Sequence, residues 1–356
     1  MQWYLLYLNT SLSVGEVSKI HTVLITGACG GIGSKLVPYL VSKGLKIIAL
    51  DDLSSGTWDN LPPDLPITKL TVDITQQDEL EKSIEGQVFE FCIHLAAVSS
   101  LPECQENPNK AMEVNFLATV NLVEICAKQA NFSAFIFAST SAVYEGLKEP
   151  VFNEDLNCNP YLCYPLTKHF SEKYLISSNL TRGFPIVITR LFNVFGDYQN
   201  SERKSPPLIN YLVRELCAGR SPILYGKNAP KRDYISVDSV VYYFYEMLKN
   251  RSVIGNTYNI CSGSGYDVKE IYSIVSKTLE SDLKPEWKPA EKIWSNYESL
   301  NSSYFQLRDD LSAAETNKQS IGSPEAIHSK IPPLNGDVEQ EIAEIVLKIK
   351  KRLENI

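Results

Sequence analysis

Residues 24–33, Leu24-Ile25-Thr26-Gly27-Ala28-Cys29-Gly30-Gly31-Ile32-Gly33, decide the fold of this chain. The β-branched run "TVLITG" enters the stretch, and "IGSKLVPYLVSKG" leaves it with a helical period that ends at Gly44. A strand, a glycine loop and a helix in that order form the context a dinucleotide fingerprint needs. One glycine permits the tight turn, one lets backbone approach a pyrophosphate, and one lets helix pack on strand. The helix N-terminus then offers free N–H groups to the anion. Gly27, Gly30 and Gly33 are spaced G-x-x-G-x-x-G rather than G-x-G-x-x-G, so the glycines alone leave a purely structural turn open.

The next strand tips the balance. "KIIALDD" ends in Asp51 and Asp52, about 20 residues past the loop, where a carboxylate accepts hydrogen bonds from the adenosine ribose hydroxyls. Carboxylates there repel a 2′-phosphate and no Arg follows in "DDLSSGTW", which favours NAD over NADP. "VDI" closes a third strand with Asp73, either near the adenine amine or as a helix cap.

From His21 to about residue 200, short β-branched runs alternate with helical stretches. That is the pattern of an α/β fold with a Rossmann-type, doubly wound parallel sheet. "EFCIHLAA", "AFIFAST" and "IVITRLFNVFG" are nearly all apolar, as strands covered on both faces should be. "NKAMEVNFLATVNLVEICAKQ" and "YPLTKHFSEKYLISSNL" read as long amphipathic helices. The expected division is an N-terminal extension over 1–20, an NAD-binding Rossmann domain over 21–200, and a smaller C-terminal α/β part over 201–356. That last part is mainly substrate-binding, with room for a strand and a helix to return to the first domain. The last hundred residues read as polar and less periodic.

Composition narrows the function classes. A net charge of −8 argues against a nucleic-acid surface, which needs clustered Lys and Arg. The eight cysteines show no C-x-x-C and the four histidines are scattered, so neither a metal site nor a disulfide framework is expected. Free thiols fit a reducing cytoplasm. The N-terminal apolar run is short and broken at Asn9, unlike a signal peptide or a spanning helix, so no membrane association is expected.

The catalytic signal is Tyr164-Pro-Leu-Thr-Lys168. Residues four apart share a helix face, so Lys168 places an ammonium near the Tyr164 phenol, favouring phenolate. Such a Tyr can take a proton from a sugar hydroxyl. Upstream, "FASTSAVY" ends a strand in Ser139, Thr140 and Ser141, any one of which can hold the reacting oxygen.

Taken together the chain resembles the extended short-chain dehydrogenase/reductases that act on nucleotide sugars, in the manner of the UDP-glucose 4-epimerases. The matches run in order: "TGACGGIG", "DDLSSG", "VDI", "HLAA", "NFLATVNL", "STSAVY", "YPLTK", "RLFNVFG", "KRDYISVDSV" and "YNICSGSG". The resemblance implies Thr140, Tyr164 and Lys168 as the catalytic set. It implies cofactor contacts from Gly27, Gly30, Gly31, Ile32, Gly33, Asp51, Asp52, Leu53, Ser54, Ser55, Gly56, Asp73, Ile74, Leu95, Ala96, Ala97, Ser139 and Phe192, with Tyr164 and Lys168 also at the nicotinamide ribose. Substrate contacts are implied for Ser99, Ser100, Thr140, Asn193, Leu208, Tyr225 and Arg232, the last as a phosphate or ribose ligand. A homodimer through a four-helix bundle is implied as well.

Two departures stand out. No second Arg motif is recognisable in "KPAEKIWSNYESLNSSYFQLRDDLS", where Lys292 and Arg308 are the basic candidates, and Glu145 stands where the family usually has glycine. The family's dehydratases carry acids directly after the catalytic Thr, whereas here Ser141 and Ala142 follow. Without an added acid–base pair the simplest chemistry is C4 epimerisation of a UDP-hexose or derivative: hydride passes from C4 to NAD, the 4-keto sugar turns, and hydride returns to its other face. The alternatives are a 4,6-dehydratase, a 4-ketoreductase, or an NAD-binding regulatory protein without catalysis.

Overall fold

The computed structural model describes residues 21–200, 206–225, 230–288, 319–334 and 336–354. The N-terminal extension, Lys292 and Arg308 lie outside them.

Strands β1 (Thr22–Thr26), β2 (Lys46–Asp51), β3 (Ile67–Thr71), β4 (Phe91–His94), β5 (Ala134–Thr140) and β6 (Ile186–Leu191) alternate with helices. The helices are α1 (Gly33–Ser42), α2 (Gln77–Ile84), α3 (Leu101–Glu106), α4 (Pro108–Met112), α5 (Ala118–Ala127) and α6 (Cys163–Arg182). β7 (Asn193–Phe195), α7 (Leu208–Cys217), β8 (Ile223–Tyr225), β9 (Arg232–Ser236), α8 (Val237–Lys249) and β10 (Asn256–Ile260) follow. The chain closes with β11 (Gly265–Tyr266), α9 (Val268–Thr278), β12 (Glu286–Lys288), α10 (Glu325–His328) and α11 (Val338–Glu354).

Seven strands form one parallel sheet in the order β10-β6-β5-β4-β1-β2-β3. This is the Rossmann-type α/β fold expected. The order reverses on either side of β1, and ligands of such sheets bind in the crevice beyond the strand ends at that point. Side chains alternate between the faces: Val23 and Ile25 pack with Leu36, Val37 and Phe244 on one face, while Leu24 meets Leu122, Phe135 and Leu175 on the other. The two-residue period of an extended chain dictates that split.

Three local readings change. The run expected as one helix over "NKAMEVNFLATVNLVEICAKQ" contains a π-helical turn, Glu113–Leu117, between α4 and α5. The wider turn carries buried Asn115, whose carbonyl accepts from the Ser171 and Thr119 hydroxyls. "IVITRLFNVFG" is two strands, because β7 leaves the main sheet to pair with β9. The C-terminal stretch also holds a clear helical repeat: Ile342, Ile345, Val346 and Ile349 of α11 are all buried against α7 and α9. The outer face of α11 is so heavily charged that it masks this repeat in the sequence.

Candidate active site

The glycine loop is tightly bound on all sides. Gly27 has φ +70, and a Cβ there would lie 2.7 Å from the Ala96 amide nitrogen. A Cβ on Gly33 would strike the carbonyls of Gly27 and Ala28. Both positions therefore require glycine. Across the loop, the Cys29 N–H donates to Asp51 Oδ2 at 2.8 Å and the Leu53 N–H to Asp51 Oδ1 at 2.8 Å. Burial pushes the Asp51 carboxyl up, while those two backbone donors pull it down. Burial also drives the Cys29 thiol up to about 12, so Cys29 packs and does no nucleophilic work. α1 begins with no side-chain cap at Ile32 and no acidic residue in its first turn. The Ser34, Lys35 and Leu36 N–H groups donate to the carbonyls of Gly30 and Ile32, and Lys35 pairs with the buried carboxylate of Asp197 at 3.0 Å, while the dipole of α1 favours an anion at this end.

The hydroxyl and amine groups gather at the ends of β5 and α6. Thr140 is the last residue of β5, and its Oγ1 accepts from the Ala142 N–H at 3.1 Å, capping the short 3-10 turn Ser141–Tyr144. Its own proton stays available for donation. Tyr164 is the second residue of α6, half-buried, and Lys168 lies one turn on. The Lys168 ammonium donates to the Ala138 carbonyl at 2.8 Å, sits 4.6 Å from the Phe137 ring centroid and is 2 % exposed. Burial drives its pKa down to about 7, opposed by nearby Cys104 and Glu172.

Beneath Lys168 runs a buried network that sequence reading missed. Glu172 pairs with Arg190 at 2.8 Å and accepts from the Ser139 hydroxyl at 2.5 Å. Arg190 donates to the Tyr144 hydroxyl at 2.9 Å, which donates in turn to Asn259 Oδ1 at 2.7 Å. Four elements, β5, α6, β6 and β10, are thereby fixed together behind the crevice. Removing one partner of such a pair leaves an uncompensated buried charge.

Residues 23–261 match the model of the NAD dependent epimerase/dehydratase family. The chain belongs to that family. Among its relatives is a putative UDP-glucose 4-epimerase of Methanocaldococcus jannaschii, 29% identical over 260 residues, which are 72% of this chain and 82% of that protein. A dTDP-D-glucose 4,6-dehydratase of Dictyostelium discoideum is 31% identical over 71% of this chain and 60% of its own length. The fold is similar to a UDP-N-acetylglucosamine 4-epimerase of Methanobrevibacter ruminantium in complex with UDP-N-acetylmuramic acid, with a TM-score of 0.80 at 25% identity, covering 94% of this chain and 99% of that one. A UDP-glucose 4-epimerase of Thermotoga maritima with UDP-glucose shares the fold with a TM-score of 0.81 at 23% identity, over 93% and 99%.

NAD is the cofactor of this family member. Gly30 and Gly31 complete the turn, with Gly31 facing the Gln199 side chain. Asp52 Oδ1 accepts from the Ser54 N–H and hydroxyl, and the turn continues through exposed Ser55 to Gly56, which lies against the Cys29 carbonyl. The Asn60 amide donates to that same carbonyl at 2.9 Å, a contact no motif announced. Asp73 Oδ1 caps Thr75, and the Ile74 side chain is buried in the core. Leu95, Ala96 and Ala97 leave β4 half-buried beside the loop.

Some side chains serve other partners than those expected. The Ser139 hydroxyl is committed to Glu172, and the Phe192 ring is 2 % exposed, packed against Tyr144 and Gly322 rather than against open space. Ser100 caps α3 through the Glu103 N–H, next to exposed Ser99.

Asn193, Tyr225 and Arg232 lie on the smaller strands β7, β8 and β9, and Leu208 lies on α7. Asn193 on β7 donates to the Asp233 carbonyl at 2.8 Å, and Arg232 stands exposed at the start of β9. Leu208 opens α7 and Tyr225 ends β8, both half-buried. Buried Asp233 pins this region by accepting from the Ser262, Gly263 and Gly322 N–H groups, and burial drives its carboxyl up to about 6 against those bonds. Asn115, also missed, joins Val98 and Thr167, tying the end of the crevice loop to α6. Only the "NFLATVNL" match hinted at it.

Proposed function

We propose that this chain is an NAD-dependent nucleotide-sugar epimerase that interconverts C4 epimers of a UDP-hexose or UDP-hexose derivative. The proposal is supported by Thr140 closing β5, Tyr164 opening α6 and Lys168, one turn on, donating to the Ala138 carbonyl of β5, with no acidic side chain in the two positions after Thr140. Bound NAD supplies a reversible two-electron acceptor at the sugar C4. Gly27 to Gly33 and Asp51 hold it. Thr140 orients the C4 hydroxyl by donating its proton, and Tyr164 removes the hydroxyl proton and later returns it. Lys168, one helical turn away, favours the phenolate when it carries its charge. The Ala138 carbonyl orients its ammonium, and the Phe137 ring keeps water from it.

The 4,6-dehydratase reading needs a second acid near C5 and C6. Ser141 and Ala142 supply none, Glu145 accepts from the backbone N–H groups of Tyr161 and Leu162, and Glu172 is paired with Arg190 and Ser139. Arg232 and Asn193 are the residues we assign to the diphosphate side of the substrate. A second copy of the chain packs, in this reading, on α5, α6 and the π-helical turn before α5, where Leu117 of the turn is 50% exposed and Phe170 of α6, beside Phe116, is 39% exposed.

The test is incubation of the NAD-loaded protein with a panel of UDP-hexoses, UDP-N-acetylhexosamines and UDP-hexuronic acids. A 4-epimer without net reduced nicotinamide supports the proposal. Accumulation of a 4-keto-6-deoxy sugar favours the dehydratase, and tight NAD binding without turnover of any sugar favours a binding protein.

A further inference from the structure

Thr140 and Tyr164 reach the reaction from different elements, so their separation depends on what joins the 3-10 turn after β5 to the first turn of α6. Two joints lie deeper along α6: Lys168 to the Ala138 carbonyl and Glu172 to the Ser139 hydroxyl. Neither holds the entry of the helix. That entry is poorly capped by its own sequence, because Leu162 at the N-cap has no side-chain acceptor. The caps come from elsewhere in the chain. Glu145 Oε2 accepts from the Tyr161 N–H and the Leu162 N–H, each at 2.9 Å, and Gln105 Oε1 accepts from the Cys163 N–H at 2.7 Å.

Glu145 follows directly on the turn that Thr140 caps, and Leu162 precedes Tyr164 by two residues. The approach of the two segments is close at this neck. A Cβ on Gly146, which has φ +82, would lie 3.5 Å from the Tyr161 ring. The intervening loop is anchored elsewhere, through the Phe152 N–H to the Ile321 carbonyl and the Glu154 carboxylate to the Asn259 N–H. A carboxylate at a helix N-terminus is also favoured by the helix dipole.

We infer that Glu145 is a positioning residue of the reaction: its carboxylate fixes the entry of α6 to the turn after β5 and so sets the distance between the Thr140 hydroxyl and the Tyr164 phenol. The inference rests on the proposed role of those two residues.

The test compares Glu145→Ala and Glu145→Gln with the parent holoenzyme, each carrying NAD, on the UDP-hexose the parent turns over. Misplacement of a reacting group by about 1 Å can cost on the order of a hundredfold in rate. We expect Glu145→Ala to lose roughly ten- to a hundredfold in kcat, with KM within about twofold and NAD retained. Glu145→Gln keeps an oxygen acceptor and should restore kcat to within about threefold of the parent, the remaining deficit reflecting the lost charge. Amide hydrogen exchange at Tyr161 and Leu162 should be faster in Glu145→Ala than in the parent, whatever the substrate. Full kcat in Glu145→Ala, or a lowered melting temperature with kcat untouched, overturns the inference, and so does unchanged exchange at the two amides. A parent that turns over no nucleotide sugar counts against the proposed function instead, and the exchange measurement still decides whether Glu145 holds the α6 entry.

Discussion

The half of this molecule that carries the glycine loop and the half we propose binds the substrate are built by different rules. In the cofactor half, each functional group sits on a contiguous stretch whose local geometry is nearly self-determined: a glycine loop, a strand ending in Asp51, a helix with Tyr164 and Lys168 one turn apart. In the other half, β7, β9 and β11 form a separate small sheet, and its site depends on Asp233 gathering backbone from segments 29, 30 and 89 residues away. The contrast teaches that the glycine loop and the Tyr164–Lys168 pair are marked by local patterns, although long-range contacts also hold them, whereas the region around Asp233 has no local mark and is built by long-range pairings alone. Damage in one half should therefore be separable from damage in the other.

The largest separation is expected for Tyr164→Phe. Loss of a general base costs roughly a hundred- to ten-thousandfold. Turnover should fall by that factor while bound NAD, measured by absorbance after denaturation, is unchanged; a variant with parental activity would remove Tyr164 from the mechanism. Next comes Gly33→Ala, whose Cβ would meet the Gly27 and Ala28 carbonyls. The purified protein should carry little NAD, and equal NAD content in variant and parent would contradict the loop assignment. Arg232→Ala should act in the opposite half, raising KM for the UDP-sugar roughly ten- to a hundredfold, the range of a lost charged hydrogen bond, with NAD content intact.

A last effect concerns pH and is read in stability rather than in turnover. The Lys168 amine is depressed to about 7 in the folded chain from 10.5 in the unfolded one. Between those values the unfolded state binds more protons, so this group makes stability rise with pH from about 7 toward 10.5. Below the window the buried cation is a full penalty; above it the penalty is gone. Cofactor-free Lys168→Met should lose that slope in denaturant titrations, and an identical pH dependence in both proteins would contradict a depressed amine.

How much of this was legible in the sequence follows from the same contrast. The parallel sheet, the glycine loop and the Tyr164–Lys168 spacing are local patterns, and they stand in the structure where they were expected. Asn60 on the Cys29 carbonyl, Arg190 under Glu172 and Glu145 at the α6 entry are side chains whose partners lie 31, 18 and 16 or 17 residues away, and no period or motif marks such reach. β7 reads as a continuation of β6 because both are apolar; only its pairing with β9 separates them. α11 has a clear apolar repeat that its charged outer face concealed.

The measurement that tests the central proposal most directly follows the hydrogen at C4. A UDP-hexose deuterated at C4 is incubated in ordinary water with the NAD-loaded protein, and the product is read by NMR. The proposal predicts the 4-epimer with deuterium still at C4 and no net change in nicotinamide redox state. A 4-epimer that has exchanged its deuterium for solvent hydrogen, or a 4-keto-6-deoxy product, would contradict it.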